Sequence, residues 1–103
     1  MDRETTKVAK NFVKRIRKVI DIKRIILFGS RARGDHFKKS DFDFIIVSDD
    51  FKGIHFFQRI PKMYDYWNED YELEAICYTQ EEFERKKKEF GIVRKAVKEG
   101  IEL

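Results

Sequence analysis

The sequence has no second cysteine, so Cys77 lacks an intramolecular disulfide partner and the chain suits a reducing compartment. Its place within Leu73-Glu74-Ala75-Ile76-Cys77-Tyr78 reads as a small buried hydrophobe. The two histidines, His36 and His55, stand at no ligand spacing with each other or with the cysteine. Proline occurs once, at Pro61, and no Gly/Ser linker, repeat or low-complexity tract interrupts the chain. No apolar run approaches the roughly 18 residues of a membrane-crossing helix, and residues 1–20 are too charged for a signal peptide. A soluble, cytoplasmic protein without a membrane partner is expected.

What the chain has in quantity is charge and aromatic surface. The net charge of +4 conceals an uneven distribution. Residues 1–40 carry 13 Lys/Arg against 4 Asp/Glu, residues 41–82 carry 3 against 11, and residues 83–103 carry 7 against 4. A basic first part beside an acidic middle suits a site that holds polyanion and cation together, although abundant Lys and Glu also make an ordinary solvated, ion-paired surface. Lys86-Lys87-Lys88 reads as such a solvated helix face. No nucleic-acid-binding motif accompanies the basic residues, so nucleic acid is not the expected partner. Ten Phe, four Tyr and one Trp in 103 residues are many. A tight core accounts for most of them, and the rest suit a partner or homo-oligomer interface.

The length predicts one domain over residues 1–103. Val8, Phe12, Val13, Ile16, Val19 and Ile20 recur at helical spacing, predicting an amphipathic helix over 5–20. Lys23–Phe28 reads as a short buried strand and Asp41–Ser48 as a central one. Between them, residues 30–40 read as a short helical turn beginning at Ser30 and then a loop. A turn at 49–53 leads to a helix over 54–68 that Pro61 must begin, kink or split. Glu72–Tyr78 is a third strand, Thr79-Gln80-Glu81-Glu82 has the form of a capping box opening a helix to about residue 90, and Ile92–Glu99 is a last helix with Gly100 as C-cap. The fold class is therefore α/β (α+β): a small mixed sheet with helices packed on it.

The residues that bear chemistry lie where the first two strands meet their connection. Gly29 follows a buried strand, permits close backbone approach, and leads into a helical turn whose free N–H groups suit phosphate oxygens. Ser30 is placed to serve as N-cap and phosphate donor, with Arg31 and Arg33 adding positive charge. After Ser30 and ten intervening residues comes Asp41-Phe42-Asp43. Residues i and i+2 of a strand share a face, so two carboxylates project together toward a divalent ion while Phe42 and Phe44 face the other way.

Strand, Gly-Ser, ten residues, Asp-x-Asp, strand resembles the signature of the DNA polymerase β nucleotidyltransferase superfamily. The run Phe28-Gly29-Ser30-Arg31-Ala32-Arg33-Gly34-Asp35, with Ser40-Asp41-Phe42-Asp43, is similar to the minimal nucleotidyltransferases, including the antitoxin partners of HEPN-domain toxins. The resemblance implies a mixed sheet with helices on one side and Mg²⁺-dependent transfer of a nucleoside monophosphate, AMP from ATP, to an acceptor hydroxyl. It implies that Gly29 and Ser30 hold the β/γ-phosphates and that Asp41 and Asp43 bind two Mg²⁺. It further implies a third carboxylate on the neighbouring strand, and counting back from Thr79-Gln80-Glu81-Glu82 assigns that place to Glu74, with Glu72 two residues away. Aspartate is usual there, so the longer glutamate implies reduced activity. In the HEPN-paired subfamily the acceptor is a tyrosine of the toxin. The alternative is a binding module that keeps the fold and neutralises a partner by association.

Overall fold

The computed structural model describes residues 1–103 and contains a four-stranded sheet of order β3-β2-β1-β4. Along the chain, α1 spans Arg3–Arg17, β1 Arg24–Phe28, α2 Gly29–Arg33 and β2 Phe42–Val47. After a 3-10 turn at Asp49–Phe51 come α3 at Phe56–Tyr64, β3 at Leu73–Tyr78, α4 at Gln80–Lys86, α5 at Ile92–Glu99 and β4 at Ile101–Glu102. β1 runs antiparallel to both β2 and β4, whereas β2 and β3 are parallel, so the sheet is mixed. No helix is long and apolar enough to cross a membrane.

Alternation along the strands builds two cores, one on each face. Ile25 and Leu27 of β1, Phe42, Phe44 and Ile46 of β2, and Leu73, Ala75 and Cys77 of β3 pack with Val8, Phe12 and Ile16 of α1 and Met63 of α3. Phe12 meets Phe44 with ring centroids 5.2 Å apart and Trp67 edge-on at 5.1 Å. Each such ring, buried, contributes about 1.5–3 kcal/mol of transfer free energy. On the opposite face Ile26, Ile45, Val47 and Tyr78 pack with Phe83 of α4 and Val93 and Ala96 of α5. Helices thus cover both faces, correcting the one-sided arrangement implied by resemblance. Cys77 lies in the first core, and burial pushes its thiol up to about 12, as expected for an inert buried cysteine.

Local chemistry explains most boundaries. Asp2 caps α1 by accepting from Thr5 N at 2.7 Å, so the helix begins two residues before the expected start and ends at Arg17. The capping box of α4 forms as read, with Thr79 N donating to Glu82 Oε1 at 2.7 Å and Glu82 N to Thr79 Oγ1 at 3.3 Å. That helix stops at Lys86, short of residue 90, and α3 stops at Tyr64, with Pro61 inside it. β4 was not foreseen. Gly100 does cap α5, but in extended conformation, and a Cβ there would strike Ala96 O and the β1 atoms Ile26 Cγ2 and Leu27 O. Its lack of a side chain lets the chain turn back onto the edge of β1.

A buried cation ties α3 to the sheet and α4. Arg59, 5% exposed, donates to Ile54 O at 2.9 Å, to Cys77 O at 3.1 Å and to Glu82 Oε1 at 2.5 Å. Arg59→Met should lower the unfolding free energy by roughly 3 kcal/mol, the low end for breaking a buried pair, measurable by urea denaturation. The Arg59 hydrogen bond holds Glu82 below its ordinary carboxylate value. Its contribution is therefore present above that ordinary value and lost as pH falls through the folded one. The gap between wild type and Arg59→Met should accordingly narrow in acid.

Candidate active site

The strand register brings the predicted carboxylates together. Asp43 of β2 is the partner of Phe28 on one side and of Glu74 on the other. It belongs to the same alternating set as Ile45 and Val47. Its side chain therefore stands on the α4/α5 face, at the end of β2 beyond that core. Asp41 lies just before β2, and the backbone there is anchored by Phe42 N donating to Glu72 O at 2.9 Å.

Asp43 is electrostatically crowded. Partial burial, a side-chain hydrogen bond with Glu74 and the negative charges of Glu74 and Asp41 push its carboxyl from an ordinary 3.8 up to about 7, against a smaller opposing effect of Arg33. Two adjacent carboxyls whose repulsion Arg33 offsets only in part are a favourable place for a hard divalent cation. No three Asp, Glu, His or Cys side chains are drawn together tightly enough to enclose an ion. An open pair with a third acid alongside fits Mg²⁺, which keeps waters and substrate phosphates among its ligands, better than an ion needing an all-protein cage.

Gly29 stands directly against this acid. Its φ is +75°, in the left-handed region, and a Cβ there would overlap Asp43 Oδ2. Glycine is thus required twice, for backbone conformation and for contact with the carboxylate. Helix α2 starts at Gly29 with Phe28 at the N-cap position and no side-chain cap. Ser30 lies inside the first turn instead of capping it, a correction that follows from the left-handed Gly29.

The arginines separate. Arg33 is exposed beside the turn and pairs with Asp35 at 3.1 Å. Arg31 was expected near the nucleotide, but it is 2% exposed. Its guanidinium donates to Ser40 O at 3.2 and 3.0 Å, to Lys38 O at 3.0 Å and to Thr5 Oγ1 at 3.0 Å. It also lies over the rings of Phe42, 4.4 Å, and Tyr71, 4.7 Å. Arg31 therefore holds the 34–41 connection to the first core, and its donors are largely spent.

Three residues of the site were not foreseen. Tyr64, at the end of α3, donates its hydroxyl to Leu73 O; desolvation, then Glu72, Glu74 and Asp41, raise its phenol above the ordinary value. Lys95 and Glu99 of α5 face a cavity of about 280 Å³, whose other wall includes Gly29, Arg33 and Asp43. His36 pairs with Asp2 at 2.6 Å and takes no part in the site, and His55 caps α3 by accepting from Phe57 N.

A left-handed glycine thus stands against paired carboxylates at one end of a mixed sheet, an arrangement chemically suited to phosphate and cation together. Residues 7–103 match the family model described as nucleotidyltransferase domain, and the chain belongs to that family. A stretch of 28 residues is 64% identical to a protein of Methanocaldococcus jannaschii named a putative protein adenylyltransferase; it covers 27% of this chain and 28% of that one. The chain thus matches little more than a quarter of that curated relative's length. In fold, it is similar to the crystal structure titled a putative nucleotidyltransferase from Sulfolobus solfataricus, with TM-score 0.69, 24% identity, and coverage of 96% of this chain and 78% of that one. It is also similar to the BolA domain of SufE1 from Arabidopsis thaliana, with TM-score 0.58, 17% identity, and coverage of 80% and 98%. At these identities the likeness to both solved structures is one of fold alone.

The crowding at Asp43 and the left-handed backbone at Gly29 both have measurable consequences. Its folded value lies above its unfolded one, so metal-free protein should lose stability as pH rises from about 4 to about 7. Asp43→Asn should then melt a few degrees higher than wild type at pH 8 without divalent ions, by differential scanning fluorimetry. Gly29→Ala should cost roughly 1–3 kcal/mol for the strained backbone, and Asp43→Asn should not relieve that strain, because the left-handed φ persists.

Proposed function

We propose that the chain transfers AMP from ATP, with Mg²⁺, to an acceptor hydroxyl, and that the acceptor is a protein tyrosine. The observation that carries this reading is the contact between the Gly29 backbone and Asp43, with Glu74 on Asp43's opposite flank. Asp43 and Glu74, with Asp41 alongside, would hold the metal, which supplies charge neutralisation to the phosphates when bound. The backbone of Gly29 and Ser30 would orient the β- and γ-phosphates beside Asp43. Attack from the β3 side then forms the new O–P bond as the bond to pyrophosphate breaks in line. Exposed Glu74 receives the acceptor's proton. The name of the Methanocaldococcus relative supports a protein acceptor. Resemblance to the HEPN-paired enzymes makes a tyrosine of a HEPN-domain partner the acceptor to try first, with an antitoxin role in the cytoplasm.

A second reading is a partner-binding module with a weakened site. It is favoured by glutamate at position 74 and by the exposed rings of Phe37, Phe57 and Phe90. One experiment separates the two. Purified protein is incubated with candidate partner, Mg²⁺ and ATP labelled at the α-phosphate. Wild type should label the partner, and Asp41→Asn/Asp43→Asn should lose at least about a hundredfold in rate, on the order of removing a key transition-state group. Unchanged labelling by the double variant would refute the transferase site. Partner binding without any labelling would establish the module. Glu74→Asp should alter the rate while leaving partner binding intact.

A further inference from the structure

The cavity beside Asp43 has a wall that the motif does not supply. Ile92, Lys95, Ala96 and Glu99 lie at i, i+3, i+4 and i+7, so they form one face of α5, and that face closes the space over Gly29 and Arg33. The helix is held rigidly there, because Val93 and Ala96 are buried with Ile26 and Phe83 in the second core. Lys95 is exposed and enters no ion pair, whereas Arg33, the other cation of the cavity, is paired with Asp35. At about 280 Å³ the space is close to the lower limit of small-molecule pockets, about 300 Å³. It accommodates part of a nucleotide, with the remainder along the open Gly29 turn. An unpaired ammonium in the cavity that Asp43 also lines matches a metal-bound polyphosphate, which would bring cation to Asp43 and anion to Lys95.

Resting on the transferase reading above, we propose that Lys95 is a positioning residue that holds the outer phosphates of the nucleoside triphosphate against the Gly29 turn. Its three N–H donors reach phosphate as a point charge, and Arg33 joins it at little cost because its exposed pair with Asp35 is weak.

The test is isothermal titration of Mg-ATP and of Mg-bound inorganic triphosphate into wild type, Lys95→Ala, Lys95→Arg and Lys98→Ala, alongside transfer kinetics. Lys98→Ala removes the same charge from the same helix outside the cavity. Lys95→Ala should weaken both ligands about ten- to hundredfold, the range for one charge-assisted hydrogen bond, and raise KM with kcat nearly unchanged. Lys95→Arg should recover most of the loss, and Lys98→Ala should behave as wild type. Equal weakening by Lys98→Ala would reduce the effect to net charge and overturn the proposal. Wild-type binding by Lys95→Ala, with transfer still abolished in Asp43→Asn, would overturn the role of Lys95 alone. Failure of folded wild type to bind either ligand would overturn this role and the transferase reading together.

Discussion

The register of β2 is the constraint on which both core and site depend. With a side-chain period of two, sliding β2 by one residue would turn Phe42, Phe44 and Ile46 out of the first core and turn Asp43 into it. Phe42, Phe44 and Ile46 would be exchanged in that core for Asp43, Ile45 and Val47, so two large rings would leave it and a carboxylate would enter apolar surroundings, at a cost of roughly several kcal/mol. The same register seats Asp43 between Phe28 and Glu74. Hydrophobic pairing on one face of the sheet therefore determines, without further adjustment, which acids meet on the other.

The two faces divide the work. The larger cluster, with α1, α3 and the Phe12–Phe44–Trp67 contacts, stabilises the sheet. The smaller one seats α4 and α5 and stops short of the strand ends, leaving Asp43 partly buried at its margin. Arg31 shows how the boundary is kept. It departs from the turn it was expected to serve and satisfies the carbonyls of Lys38 and Ser40, groups that a connection over the core would otherwise leave poorly paired. By fixing that connection it indirectly fixes Asp41, which follows Ser40.

Much of this was legible because motif and periodicity coincide. Alternation at 41–48 sets Asp43 opposite Phe42 and Phe44, and the Thr79/Glu82 box locates α4; Glu74, which the resemblance implies by counting back from that box, is the register partner of Asp43. What was hidden is what tertiary structure decides. An arginine two residues after a glycine turn can face phosphate or core, and only the proximity of Phe42 and Tyr71 settles it for Arg31. The face of Lys95 was readable from spacing, but not its arrival over Gly29, since nothing local reports that α5 crosses the mouth of β1 and β2. The two-residue strand β4 escaped for a similar reason: Ile101-Glu102 is too short for any pattern, and its pairing with Ile26 and Leu27 depends on the bare Gly100.

The carboxylates also bear on why they stand at the end of the strands, on a solvent-open cavity, and not inside either core. A carboxyl pushed up to about 7 is a local instability that a chain of this size can carry only where solvent and ligand reach it. At the sheet end part of the charge remains hydrated, and a cation arriving there would remove the repulsion. The unliganded protein holds Asp43 in a side-chain hydrogen bond with Glu74 beside the charge of Asp41, a crowding that an incoming positive charge would relieve. In the transferase reading proposed above, such an arrangement would couple ion and phosphate binding: a cation held by Asp43 and Glu74 would favour polyanion at the neighbouring Gly29 turn, and polyanion there would favour the cation, the reciprocity that linkage requires of two sites so closely placed.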